Sequence, residues 1–177
     1  CNDPAETHRY VIGVLKDPKG RGGSLRVHET LKVGDTVKVS RPRNQFELQP
    51  QQTSALLIAG GIGITPLKSM AHSLLQAGTP FELHYCARSC EVAAFTEELV
   101  ELNRRVPGSA RWHFDNGVVG AGLDLAALLA VQPAGTHLYF CGPPGFMKAC
   151  AQAAEHWQPG TVHSEHFQVP TRAEPLA

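Results

Sequence analysis

No stretch of this chain comes near the roughly 18 to 20 consecutive apolar residues that a membrane-spanning helix requires, because Gly and polar residues interrupt every apolar run. Charge of one sign is missing too. Sixteen Lys plus Arg balance sixteen Asp plus Glu, so the summed charge provides no electrostatic footprint for nucleic acid and no basic block for anionic membranes. A small molecule or another protein is the expected partner. Cysteine is sparse and irregular: five residues, at 1, 86, 90, 141 and 150, make an odd count without a disulfide framework, in a chain large enough not to need one. A reducing, cytoplasmic setting is expected. The sequence has no initiating Met, no basic-then-apolar leader before Cys1-Asn2-Asp3-Pro4, no repeat and no low-complexity tract, and reads as the interior of a longer product.

What is there falls into two unequal parts and a tail. Residues 1–52 have antiparallel β character: 9–16 (RYVIGVLK) and 35–41 (DTVKVSR) read as half-buried strands, separated by a Gly-rich turn and a short helix. Residues 53–167 alternate strand and helix. Strands are predicted at 55–59, 81–87, 110–114, 137–141 and near Val162, with helices from Thr65 to Ala77, Val92 to Arg104, Leu123 to Ala130 and Pro144 to His156. That alternation implies α/β architecture with a five-stranded parallel sheet, whose ligands bind along the carboxyl edge of the strands. Residues 168–177, with two Pro and few apolar side chains, read as a linker.

Three loops carry candidate chemistry. Ala59-Gly60-Gly61-Ile62-Gly63-Ile64-Thr65-Pro66 lies between an apolar strand and an amphipathic helix. Its glycines allow backbone to approach a diphosphate, Thr65 can cap the helix and Pro66 suits its first turn. A ligand-free strand-to-helix turn is the plainer reading. Gly20-Arg21-Gly22-Gly23-Ser24 combines open N–H groups with a guanidinium and a hydroxyl, a phosphate cradle by composition or else a flexible hairpin loop. Phe140-Cys141-Gly142-Pro143-Pro144-Gly145-Phe146-Met147 ends a strand, and its Cys141 can pack against a flat ring or simply fill the core.

In order, CNDP, GRGGS, PRNQF, AGGIGITP, YCARS, FCGPPGFM and GTVHSEHF resemble the phthalate dioxygenase and vanillate O-demethylase reductases, a branch of the ferredoxin–NADP reductase superfamily, over residues 1 to about 167. The resemblance implies that residues 1–52 are the C-terminal part of a flavin-binding β-barrel and 53–167 an NAD-binding domain. It implies hydride transfer from NADH to FMN, then electron transfer through a [2Fe-2S] centre to an aromatic-ring oxygenase. No C-x4-C-x2-C spacing occurs here, so that centre is expected on a domain absent from this chain. The Arg, Tyr and Ser that precede CNDP in the family and hold the flavin also fall outside the sequence.

Carried over by position, the resemblance puts the flavin ring at Gly13, Val14 and Leu15 and its phosphate at Gly22, Gly23 and Ser24. The NADH diphosphate falls at Gly61 and Gly63, and the nicotinamide between Thr65 and Cys141-Gly142-Pro143. Thr65 and Cys141 are the expected catalytic positions, with Glu165 and Phe167 closing the ring pocket. Arg88, at the end of the second parallel strand, is expected near the adenosine ribose. By residue type Arg88 and Ser89 favour NADP, whereas the resemblance implies NADH. A zinc site at His84, Cys86 and Cys90 is disfavoured because no second ligand pair follows, and the nine histidines show no constellation in sequence. Two other readings stay open: a flavin-free NAD(P)-dependent dehydrogenase and a non-catalytic nucleotide-binding module.

Overall fold

The computed structural model describes residues 1–118 and 120–167, so the tail read as a linker lies outside the described residues. Five strands form one parallel sheet: β1 (Ser54–Gly60), β2 (Phe81–Ala87), β3 (Ala110–Phe114), β4 (Thr136–Cys141) and β5 (Val162–Glu165), in the order β3-β2-β1-β4-β5. The central strand β1 is continuously apolar because both its faces are covered. Ala55, Leu57 and Ala59 point to one core, Leu56 and Ile58 to the other. Among the described residues, no helix is long and apolar enough to cross a membrane.

Helix α1 is Gly23–Thr30, and α2 (Ile64–Ala77) covers the first core with Ile64, Leu67, Met70, Ala71 and Leu74, a 3.6-residue stripe. It ends where Gly78 turns left-handed (φ 66°) and Thr79 N–H returns to the Leu74 carbonyl at 2.9 Å. Helix α3 (Thr96–Arg105) begins later than the predicted Val92, because Phe95 takes φ 61° and interrupts the helical backbone. Its first turn carries Glu97 and Glu98 and its last Arg104 and Arg105, matching the helix dipole. Helices α4 (Leu125–Leu129) and α5 (Pro144–Ala153) lie on the second core, joined by the Trp157 indole N–H to the Leu129 carbonyl at 2.9 Å.

The antiparallel strands expected at 9–16 and 35–41 are not formed. No ladder hydrogen bond joins them among the described residues, and α1 is the only regular element before β1. An antiparallel strand needs the amides of a neighbour and an apolar face to cover. Here Tyr10, Ile12, Leu15, Val37 and Val39 are exposed instead. The region is held by side chains: Val11 N–H to Asn2 Oδ1 at 3.0 Å, and His28 Nε2 with the Val14 carbonyl at 2.8 Å. It is tied to the sheet domain by Ser69 Oγ to the Asn2 carbonyl (3.2 Å), by Gln49 N–H to Tyr139 Oη (2.8 Å), and by Phe46 buried against Tyr139.

Two histidine pairs, invisible as spacing in the sequence, clasp the outer strand pairs. His84 Nδ1 lies 2.9 Å from His113 Nε2 across β2 and β3, and His137 Nδ1 lies 3.0 Å from His163 Nε2 across β4 and β5. Both are stacked, at interplanar angles of 10° and 12°. Each N–H···N bond needs one bare ring nitrogen, and burial holds all four imidazoles below their ordinary pKa. The unfolded rings therefore take up protons that the folded pairs refuse. Stability is complete above about pH 6.5 and is lost as pH falls through the lowered folded values. The melting temperature should drop between pH 7 and pH 5, and His113→Phe with His163→Phe should flatten that dependence; an unchanged slope would assign the acid loss to other groups.

Candidate functional site

β1 lies between β2 and β4, so the chain leaves it in one direction and later returns on the other side, which opens a crevice at the carboxyl ends of β1 and β4. Glycines weld this crevice. A Cβ on Gly63 would stand 2.1 Å from the Cys141 carbonyl oxygen, and one on Gly142 would stand 3.1 Å from Gly60 Cα and 2.6 Å from the Phe146 ring. Gly61 differs: its φ is 53° and nothing lies within 4 Å of the Cβ position, so its backbone faces open space. Of the two glycines expected at a diphosphate, Gly61 offers the approach and Gly63 the packing. Thr65 is not the cap expected of it. Gly63 is the N-cap residue of α2, and Thr65 Oγ1 donates to the Ile62 carbonyl at 3.1 Å. No side chain caps the first turn of α2; a 3₁₀ turn over Gly61–Gly63 leads into it, the Ile64 N–H returns to the Gly61 and Ile62 carbonyls, and Pro66 carries no N–H, so the open backbone here is that of Gly61.

A cavity of about 260 Å³ opens beside this edge. Gly13, Thr65, Glu165 and Phe167 all line it, together with Ile12 and Pro66. The contact is close, since a Cβ on Gly13 would be 2.9 Å from Thr65 Cγ2. Val14 and Leu15, expected beside Gly13, are not among the lining residues: Leu15 is exposed and Val14 turns its carbonyl to His28. Gly22, Gly23 and Ser24 stand together at the start of α1, where Gly22 has φ 88° and no side chain caps the turn. The Ser24 hydroxyl is engaged locally, accepting from Asp17 N–H at 3.1 Å.

Cys141 is fully buried, between Ala59 of β1 and Glu165 of β5. Burial, reinforced by the Glu165 carboxylate, pushes its thiol up to about 12, so the sulfur is a neutral packing group. Gly142 and Pro143 follow it towards solvent. Arg88 is exposed at the end of β2 and makes no ion pair among the described residues. Glu91 is held at about 2 chiefly by the Ser89 hydroxyl instead. Sequence reasoning missed a second, smaller cavity of about 100 Å³ lined by Cys86 of β2, His113 of β3, Asp115 just after β3 and Phe146 of α5, residues far apart in sequence. No three His, Cys, Asp or Glu residues converge on a metal site among the described residues; His84 is engaged with His113 and Glu82.

The family described as the oxidoreductase NAD-binding domain matches residues 57–152, which span β1 to α5. The chain belongs to this family. Among curated relatives, the tert-butanol monooxygenase / tert-amyl alcohol desaturase reductase subunit of Aquincola tertiaricarbonis is 50% identical over 94% of this chain and 49% of its own length. The vanillate O-demethylase oxidoreductase of Pseudomonas sp. (strain HR199 / DSM 7063) is 49% identical over 94% and 52%. The solved structure of phthalate dioxygenase reductase, described as a modular structure for electron transfer from pyridine nucleotides to [2Fe-2S], superposes with a TM-score of 0.90 at 39% identity, over 97% of this chain and 53% of that one. The chain thus spans about half the length of the curated relatives it matches. The resemblance read from the sequence and the parallel α/β fold are both borne out.

In this NAD-binding domain the two glycines of the β1 loop should respond differently to a methyl group. Gly63→Ala would force backbone apart and should cost about 3 kcal/mol or more, whereas Gly61→Ala meets only left-handed strain of roughly 1 to 2 kcal/mol. Denaturant titration of both variants checks this; equal losses would show that the β1 and β4 loops separate without cost.

Proposed function

We propose that this chain is the electron-transfer core of an oxygenase or demethylase reductase component, taking hydride from NADH to FMN and passing electrons through a [2Fe-2S] centre on a domain outside this chain to a terminal oxygenase. The observation that carries it is the cavity in which Gly13, from the first 52 residues, meets Thr65, Glu165 and Phe167 of the NAD-binding domain. A flavin-free dehydrogenase has no use for that second wall. The names of several curated relatives, reductase or oxidoreductase components of monooxygenase, O-demethylase and phthalate dioxygenase systems, support the same reading.

The residues present fit both groups. Gly22, Gly23 and Ser24 would hold the flavin phosphate on the uncapped turn of α1, where Gly22 and Gly23 leave open space on the side a Cβ would occupy. The open backbone at Gly61, at the head of the turn that leads into α2, would hold the NADH diphosphate. Thr65, its hydroxyl turned back to Ile62, presents its methyl to Gly13 and would keep the two rings in register. Cys141, Gly142 and Pro143 would floor the nicotinamide side, and Arg88 would lie beside the adenosine ribose. Phe167, half exposed, would cover the ring from the carboxyl end. Bound flavin supplies the chemistry, accepting two electrons as hydride and releasing them singly. The step needs no protein base, which agrees with histidines that are committed to one another across the strands.

Two measurements test the reading. Because residues 9–16 and 35–41 form no paired strands, the 177-residue chain should bind NADH more tightly than FMN in isothermal titration; the reverse order would mean the loop at Gly22 needs no barrel around it. In the flavin-loaded reductase, Cys141→Ala should slow flavin reduction about tenfold, corresponding to roughly 1.4 kcal/mol in the barrier, with little change in NADH dissociation constant. A lowered melting point with an unchanged rate would make Cys141 a core residue only.

A further inference from the structure

Lys68 follows Thr65 by one helical turn on α2, yet its side chain is 1% exposed. Its ammonium reaches Glu98 at the start of α3 and sits 4.2 Å from the centroid of the Phe95 ring. A cation removed from water is costly unless it is paired, and a ring face together with a half-exposed carboxylate is the pairing it has. Phe95 is itself unusual. It holds φ 61°, a left-handed conformation that a bulky side chain rarely adopts, and persists because its neighbours fix it: Ala94 N–H donates to Tyr85 Oη at 2.9 Å and Thr96 Oγ1 to the Ala93 carbonyl at 3.0 Å. Backbone strain of this kind survives where surrounding structure over-determines it, and clusters at functional sites.

The ring so fixed ends at the cavity wall. A Cβ on Gly13 would meet three groups: Thr65 Cγ2 at 2.9 Å, Phe95 Cε2 at 3.2 Å and Ile62 Cδ1 at 3.3 Å. Phe95 is therefore part of the surface on which the Gly13 backbone rests, one layer behind the cavity that Gly13 and Thr65 line. Removing the ring would leave Gly13 without one of its three supports, and removing the Lys68 cation would free the ring to move.

We propose that Lys68 and Phe95 are positioning residues for hydride transfer: the Lys68 ammonium pins the Phe95 ring, and the ring sets how closely the Gly13 segment sits on Thr65. The inference rests on the reductase reading above, in which Gly13 carries the flavin side of the cavity and Thr65 the nicotinamide side. Neither residue lines the cavity, so their effect is on distance and alignment, not on binding.

The test uses the flavin-loaded reductase containing this chain, with Lys68→Met, Lys68→Arg and Phe95→Asn; Asn tolerates the left-handed corner and removes only the ring. Lys68→Met and Phe95→Asn should each slow flavin reduction by about tenfold or more. NADH dissociation constants should stay within about twofold. Lys68→Arg, which keeps a cation over the ring, should recover most of the rate. Amide hydrogen exchange should quicken selectively at residues 11–14 while β1 and β4 keep their protection. Unchanged exchange at 11–14, or a rise spread equally over the sheet, would overturn the proposal. A wild-type enzyme that NADH does not reduce would defeat the reductase reading by itself, and the exchange comparison would still decide whether Lys68 and Phe95 hold the Gly13 segment.

Discussion

The contact on which the rest of the site depends is backbone against backbone: Gly63 packed on the Cys141 carbonyl where β1 and β4 end. It exists because β1 is central and its second neighbour is β4 and not a strand adjacent in sequence. The contact fixes the start of α2 relative to the end of β4, so the Gly61 loop and the Cys141-Gly142-Pro143 turn share one crevice. No side chain at position 63 is compatible with that approach. The adjoining close pair, Gly60 and Gly142, is stoppered by the Phe146 ring of α5, which extends the same constraint to the second core.

Around that fixed edge the molecule keeps its buried ionisable groups paired or neutral. The buried histidines satisfy one another across the outer strands, Lys68 is taken by Phe95 and Glu98, and the thiols of Cys141 and Cys150 are held neutral by burial. What remains open at the carboxyl edge is mostly backbone, at Gly61, and elsewhere the first turn of α1 has no side-chain cap. Backbone amides and helix ends suit anionic, phosphate-bearing ligands, and they require no titrating side chain to bind them.

Much of this was legible in the sequence, and the exceptions have physical causes. The apolar run of β1, the stripe of α2 and the glycine loops at 60–63 and 142 mark strand, helix and crevice directly, because burial on two faces and close approach each leave a compositional trace. The delayed start of α3 left none: Phe95 in a left-handed conformation is imposed by Tyr85, Thr96 and Lys68, all contacts of the folded state. Residues 9–16 and 35–41 alternate as strands should, but alternation specifies a face and not a partner. The histidine pairs join residues 29 and 26 positions apart, a diagonal relation that appears only once the strand register is known. Thr65, placed by sequence as a cap, turned its hydroxyl back to Ile62 and left its methyl for Gly13.

The protonation of Cys141 has a consequence for chemical durability. With its thiol pushed up to about 12 by burial, Cys141 is protonated at neutral pH, and the thiolate is the form that alkylating agents and peroxides attack. The sulfur is also out of solvent. A polarizable atom can therefore stand at the edge of the crevice without being consumed by oxidants in solution. Among the five free cysteines only Cys90 is exposed, which makes it the thiol that an electrophile meets first.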